Sequence, residues 1–125
     1  MIKVRHIRSE NYITGNYDSG AITIVSKINY GNPNINGETY PRSIEFAVAC
    51  SSIHDEFIKK IGREIATTRL LNRDINFYRK LNINIERKLF AWEINQLIDI
   101  NILYTMKISH RAYEIMFDRL RLFGY

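Results

Sequence analysis

Cys50 is the single cysteine of the chain, and a thiolate beside a helix start is a nucleophile. It stands just before Ser51 and Ser52, where a strand pattern gives way to a helix pattern. A helix N-terminus lowers a thiol pKa, and His6, His54 and His110 are the available bases. Against catalysis, Cys50 falls on one strand face with Ile44, Phe46 and Val48, which assigns it to the core as a small hydrophobe. His54 projects toward an apolar helix stripe and reads as a satisfied, partly buried histidine. The three histidines are far apart, and neither a His-x-x-x-His nor a Cys-x-x-Cys spacing occurs, so no metal site is expected. Glycine-rich phosphate loops are missing as well. Neither a catalytic residue nor a cofactor is assigned, and the expectation is a non-enzyme.

The second chemistry is charge. The 125 residues carry 18 Lys+Arg and 13 Asp+Glu, a formal net charge of +5. Residues 51–82 hold seven basic and four acidic groups, net +3, while each flanking part is net +1. Lys59, Lys60 and Arg63 fall on one helix face, and Arg69, Arg73, Arg79 and Lys80 follow, with Phe77 and Tyr78 between them. Basic groups neutralise phosphates and exposed aromatics stack on unpaired bases, so this set is a candidate nucleic-acid surface. The plain alternative is a solvated helix face with Phe77 and Tyr78 packed on the core. No helix-turn-helix, zinc-finger or RNA-recognition signature accompanies it.

Elements must position these groups. Ile2, Val4 and His6 alternate with Lys3, Arg5 and Ile7 as a first strand. In Ala21–Tyr30, Ile22, Ile24, Ser26, Ile28 and Tyr30 share a face, and Ser43–Cys50 alternates again. The loop 31–37, rich in Asn and Gly with Pro33, joins the two as an antiparallel hairpin. A helix is expected from Ile53 to Leu71, capped by Ser52 with Asp55 at its third position. Its stripe is Phe57, Ile58, Ile61, Ile65 and Thr68, and Gly62 sits mid-helix at a cost of ~1 kcal/mol relative to Ala. A short helix is expected over Asp74–Leu81 and a broadly apolar one over Ile85–Ile98, weakened at Asp99-Ile100-Asn101. Ser109 caps a last helix with Tyr113, Met116, Phe117 and Leu120 on one side. The expectation is one α+β domain over residues 1–125, a three-stranded, mostly antiparallel sheet against three to four C-terminal helices.

The stretch from Phe46-Ala-Val-Ala-Cys50-Ser51 through Asp55, Phe57, Lys59-Lys60, Gly62-Arg63, Ile65-Ala66 and Arg69 to Leu70 is about a fifth of the chain. It resembles a segment of small uncharacterised proteins of tailed phages. In them a strand ending near Cys-Ser enters a helix reading Asp-x-Phe-x-Lys-Lys-x-Gly-Arg-x-Ile-Ala-x-x-Arg. The resemblance implies a setting rather than an activity: a phage or mobile-element protein in bacterial cytoplasm. The 21 Ile and 12 Asn, with Lys and Tyr, indicate A/T-rich coding DNA, which agrees with that setting. Such a protein is expected to bind and inhibit or redirect a host macromolecule, as an anti-CRISPR inhibitor of host defence does. The expected partner is a host protein or nucleoprotein complex, with nucleic acid itself as the alternative.

Neither a signal-peptide pattern nor a run of ~18 apolar residues occurs, so no membrane partner is expected and the location is cytoplasmic. The surplus of apolar positions around the 85–98 helix marks Leu89, Trp92, Ile94 and Leu103 as a candidate surface for self-association or a partner.

Overall fold

Residues 21–30 and 41–51 form the two longest strands, and most of both their faces is buried. The computed structural model describes residues 1–8, 20–51 and 58–122. Its elements in chain order are β1 (Ile2–Ile7), β2 (Ala21–Tyr30), β3 (Pro41–Ser51), α1 (Lys59–Leu71), β4 (Tyr78–Asn82), α2 (Ala91–Thr105) and α3 (His110–Leu122). The strands form one antiparallel sheet in the order β1-β2-β3-β4. The α+β class stands, but the expected three strands are four and the three to four helices are three among the described residues.

The extra strand, β4, replaces the short helix expected over Asp74–Leu81. Its Leu81 lies opposite Ile44 and its Tyr78 opposite Ala47, so pairing with β3 overrides a weak local pattern. The hairpin between β2 and β3 matches expectation. Asn34 closes its loop by accepting the Asn36 and Glu38 amides on Oδ1 at 2.9 and 3.0 Å, and Gly37 takes φ 76°, which favours glycine.

The two sheet faces differ in residue size. Ile22, Ile24, Ile44, Phe46 and Val48 point to one side, where Ile94, Ile98 and Ile102 of α2 and Ile115 and Met116 of α3 complete the main core. Thr23, Val25, Ala47 and Ala49 point to the other and meet Ala66 and Leu70 of α1. The sheet is therefore sandwiched, with α1 on the small-residue face and α2 and α3 on the large-residue face.

Helix α1 differs from expectation in start and rotation. Ile58 is extended (φ −120°, ψ 111°), so the helix begins at Lys59 and no side chain caps it. Ser52, His54, Asp55 and Phe57 lie outside the described residues. The helix turns Gly62, Ala66 and Leu70 to the sheet rather than the Ile58/Ile61/Ile65 stripe. Thr23 and the two alanines form a shallow floor that admits a close helix only through small side chains. A Cβ on Gly62 would stand 2.5 Å from Thr23 Oγ1.

Helix α2 also departs from the expected 85–98 range. It starts at Ala91 and runs through Asp99-Ile100-Asn101 to Thr105. Asp99 does not weaken it, because Arg5 on β1 takes that carboxylate with both terminal nitrogens, at 3.0 and 2.5 Å. In α3 the cap is as expected: Ser109 Oγ accepts the Ala112 amide at 3.2 Å. Its buried positions are Ala112, Ile115, Met116 and Leu120, while Tyr113 and Phe117 are exposed and stack with centroids 6.2 Å apart.

Gly62→Val should destabilise the fold by about 2 kcal/mol, read as a lower urea midpoint, because β-branched bulk would strike Thr23. Thr23→Ala in the same chain should return part of that loss, a coupling that distant sites would not show.

Candidate functional site

A buried polar assembly lies on the small-residue face, where α1 ends. Glu45 belongs to the face of β3 that carries Ala47 and Ala49, yet it is 4 % exposed. Tyr78 on β4 donates its hydroxyl to Glu45 Oε1 at 2.6 Å, and Asn29 on β2 donates to Oε2 at 2.9 Å and to Ser43 at 2.9 Å. Lys27 Nζ stands 3.3 Å and Arg73 Nε 3.6 Å from the same carboxylate. Hydrogen bonds from Tyr78 and then Asn29, with Lys27, hold Glu45 down at about 2 against the opposing effect of burial. Burial and the bond to Glu45 push Tyr78 up to about 12. Arg73 reaches this cluster from a left-handed residue, φ 50°, in the turn that ends α1, a position glycine usually takes.

At the other end of α1, Lys59, Lys60 and Arg63 are exposed, as the sequence suggests. Lys59 and Arg63 face His6 of β1, and burial followed by these two charges lowers the His6 pKa. His6 Nδ1 is 2.9 Å from Thr23 Oγ1. Beside the first cationic end lies the stripe that the sheet refuses: Ile58, Ile61 and Ile65 are 45, 48 and 42 % exposed.

Arg69, Phe77 and Arg79 are internal ties. Arg69 donates to the Val48 carbonyl at 2.9 Å and lies 3.6 Å over the Phe77 ring, which is half-buried against the core. Arg79 donates to the Ile75 and Tyr78 carbonyls and, at 3.1 Å, to Thr105 at the C-terminal end of α2, where positive charge suits the helix dipole. Lys80 is exposed on β4. The nine residues of the 59–80 set therefore do not form one surface. Lys59, Lys60 and Arg63 stay together, Arg73 and Tyr78 join Glu45, and Arg69, Phe77 and Arg79 bind the fold to itself. Glu45, Asn29 and Lys27 are not among the sequence candidates, and the one signal for them is the charge of Glu45 within the otherwise uncharged run 43–50.

The second candidate surface is divided too. Ile94 is buried, Leu89 and Leu103 are half-buried against the main core, and Trp92 alone is well exposed, at 64 %.

Cys50 is half-buried beside the main core, and burial pushes its thiol up to about 11. A thiol so raised is protonated at neutral pH and a poor nucleophile. Among the described residues no three His, Cys, Asp or Glu side chains gather as metal ligands, and no helix is long and apolar enough to cross a membrane. No protein-family model, curated protein or solved structure matches the chain.

Glu45 sets an acid limit on stability. Its folded pKa lies below the ordinary 4.5, so its contribution is complete above about pH 4.5 and is lost as pH falls toward 2. Unfolding midpoints across that window should show a loss of roughly 2–3 kcal/mol for the native chain. The loss should be much smaller for Glu45→Gln.

Proposed function

We propose that this chain is a non-catalytic binding protein that docks a partner protein on the outward face of α1. In the phage or mobile-element setting that its 46–70 segment resembles, the partner is a host macromolecule that it inhibits or redirects. The observation that carries this reading is the half-exposed pair Ile61 and Ile65, one turn apart on α1 and beside the exposed Lys60, with the half-exposed Ile58 immediately before the helix. Neighbouring aliphatic side chains left to water on one face mark an interaction site. Lys59, Lys60 and Arg63 at the start of the row set the partner's chemistry: an apolar groove rimmed by carboxylates.

Protein is favoured over nucleic acid on two counts. Three isoleucines offer nothing to a phosphate backbone. The aromatic rings that would stack on bases are engaged elsewhere, Phe77 under Arg69 and Tyr78 on Glu45.

Ile61→Asp with Ile65→Asp should leave the unfolding midpoint nearly unchanged, since both positions are exposed. It should abolish capture of the partner that the native chain retains from nuclease-treated host lysate. Lys60→Glu should slow association with little change in dissociation. Capture that disappears with nuclease treatment, or that survives the double aspartate substitution, refutes the docking of protein on α1.

A further inference from the structure

Helix α2 does not fill the large-residue face evenly. Arg5 of β1 ties the middle of the helix to the sheet through Asp99, and Ile94 and Ile98 pack into the main core beneath it. Toward the start of α2 two small residues meet the gap between helix and sheet, Ser26 on β2 and Ala91 on α2. A cavity of about 110 Å³ remains there. Strand register builds its floor: Lys3 stands opposite Ser26, and Arg5 opposite Ile24. Residues two apart on a strand share a face, so Lys3 lies on the side of the sheet that Arg5 occupies and α2 covers. Ile28 extends the floor, and Ile94 and Asn95 line the helix side. Ile24, Ser26 and Ile94 are buried, whereas Lys3 and Ala91 are exposed. The cavity is thus mostly aliphatic at depth and cationic at its mouth.

The lining selects a ligand by elimination. Two cations and no carboxylate line the cavity. Arg5 is spent on Asp99, and among the described residues Lys3 forms no ion pair. One charge is left to match, and a carboxylate carries one, whereas a phosphate monoester carries closer to two. The Ser26 hydroxyl and the Asn95 carboxamide supply hydrogen-bond donors for its oxygens. A bare anion would leave the three isoleucines unused, and a purely apolar molecule would leave Lys3 unused. A cavity of about 150 Å³ takes a benzene ring, so 110 Å³ is too small for an aromatic acid and suits an aliphatic chain of about four or five carbons.

We propose that the cavity between β1, β2 and the start of α2 binds a short-chain aliphatic monocarboxylate. Its carboxylate pairs with Lys3 and accepts from Ser26 and Asn95, and its chain lies against Ile24, Ile28 and Ile94. This site and α1 lie on opposite faces of the sheet, so it goes beyond the protein-docking reading and does not depend on it.

The isotope-labelled native chain is titrated with acetate, butyrate, pentanoate, octanoate, benzoate and pentanol, and its backbone amide shifts are followed by NMR. Butyrate or pentanoate should move the amides of residues 3–5, 24–28 and 91–95 saturably, with a Kd on the order of 1 mM for so small a ligand. Acetate, octanoate, benzoate and pentanol should each bind about tenfold or more weakly. Lys3→Gln should weaken pentanoate about tenfold and leave pentanol unchanged. Ile28→Phe fills the cavity and should remove the response to every acid. Unfolding curves check that both variants fold; Lys3→Gln, at an exposed position, decides alone if Ile28→Phe does not. No saturable shift with butyrate or pentanoate at tens of millimolar overturns the proposal. Acetate binding as tightly as pentanoate overturns it by marking a simple anion site, and pentanol doing so by marking a plain apolar hole. Equal binding of octanoate or benzoate overturns it as well, as does pentanoate binding unaltered by Lys3→Gln.

Discussion

The pairing of β2 with β3 over ten rungs, from Ala21 opposite Ser51 to Tyr30 opposite Pro41, governs the placement of everything else. A strand pair buried on both faces forces every side chain into one of two layers. Here the layers have different sizes: Ile, Phe and Val48 on one side, Thr, Ala and Val25 on the other. Large side chains interdigitate with a thick layer, and two helices cover them. Small ones leave a shallow floor, and a single helix settles there with glycine and alanine against it. The size difference between faces thus decides how many helices each face receives and how near they lie.

The shallow face has a second effect. Where α1 ends, no helix among the described residues covers the sheet, and the strands carry polar groups there. Glu45 can be almost fully buried there because four side chains meet its carboxylate, from both flanking strands and the turn after α1. Removing a single partner leaves a buried anion short of its bonds, which is costlier than the bond itself. The cluster joins β2, β3, β4 and the end of α1 at one carboxylate. It also consumes charge that, in the sequence, looks available to a ligand.

What could be read in the sequence was what neighbours along the chain decide. Alternation gave β2 and β3, the Asn-Gly loop gave their hairpin, and Ser109 gave the start of α3. What could not be read depended on distant partners. Asp99 looks like a flaw in a helix until Arg5, 94 positions away, is seen to bind it. Tyr78–Asn82 carries too few apolar residues to announce a strand, and β3 makes it one. Periodicity aligned Ile61 and Ile65 on one side of α1, but periodicity cannot say which face a sheet accepts. Gly62 held that information, since a glycine in mid-helix is a cost unless something approaches closely. Of the basic set, the exposed triplet of α1 was legible. Arg69 and Arg79 were not, because an arginine that binds backbone carbonyls looks in sequence like one that faces water.

The sheet order leaves β1 and β4 at its two ends, six and five residues long. Each carries an exposed lysine, Lys3 on one and Lys80 on the other. A terminal strand is a template for another chain, and short strands bearing like charge make poor templates. When two copies of this protein meet edge to edge, positive strand faces positive strand whichever ends come together. The same basic character that suits a ligand or an acidic partner therefore also guards against strand-to-strand aggregation, which matters most for an isoleucine-rich chain that has just left the ribosome.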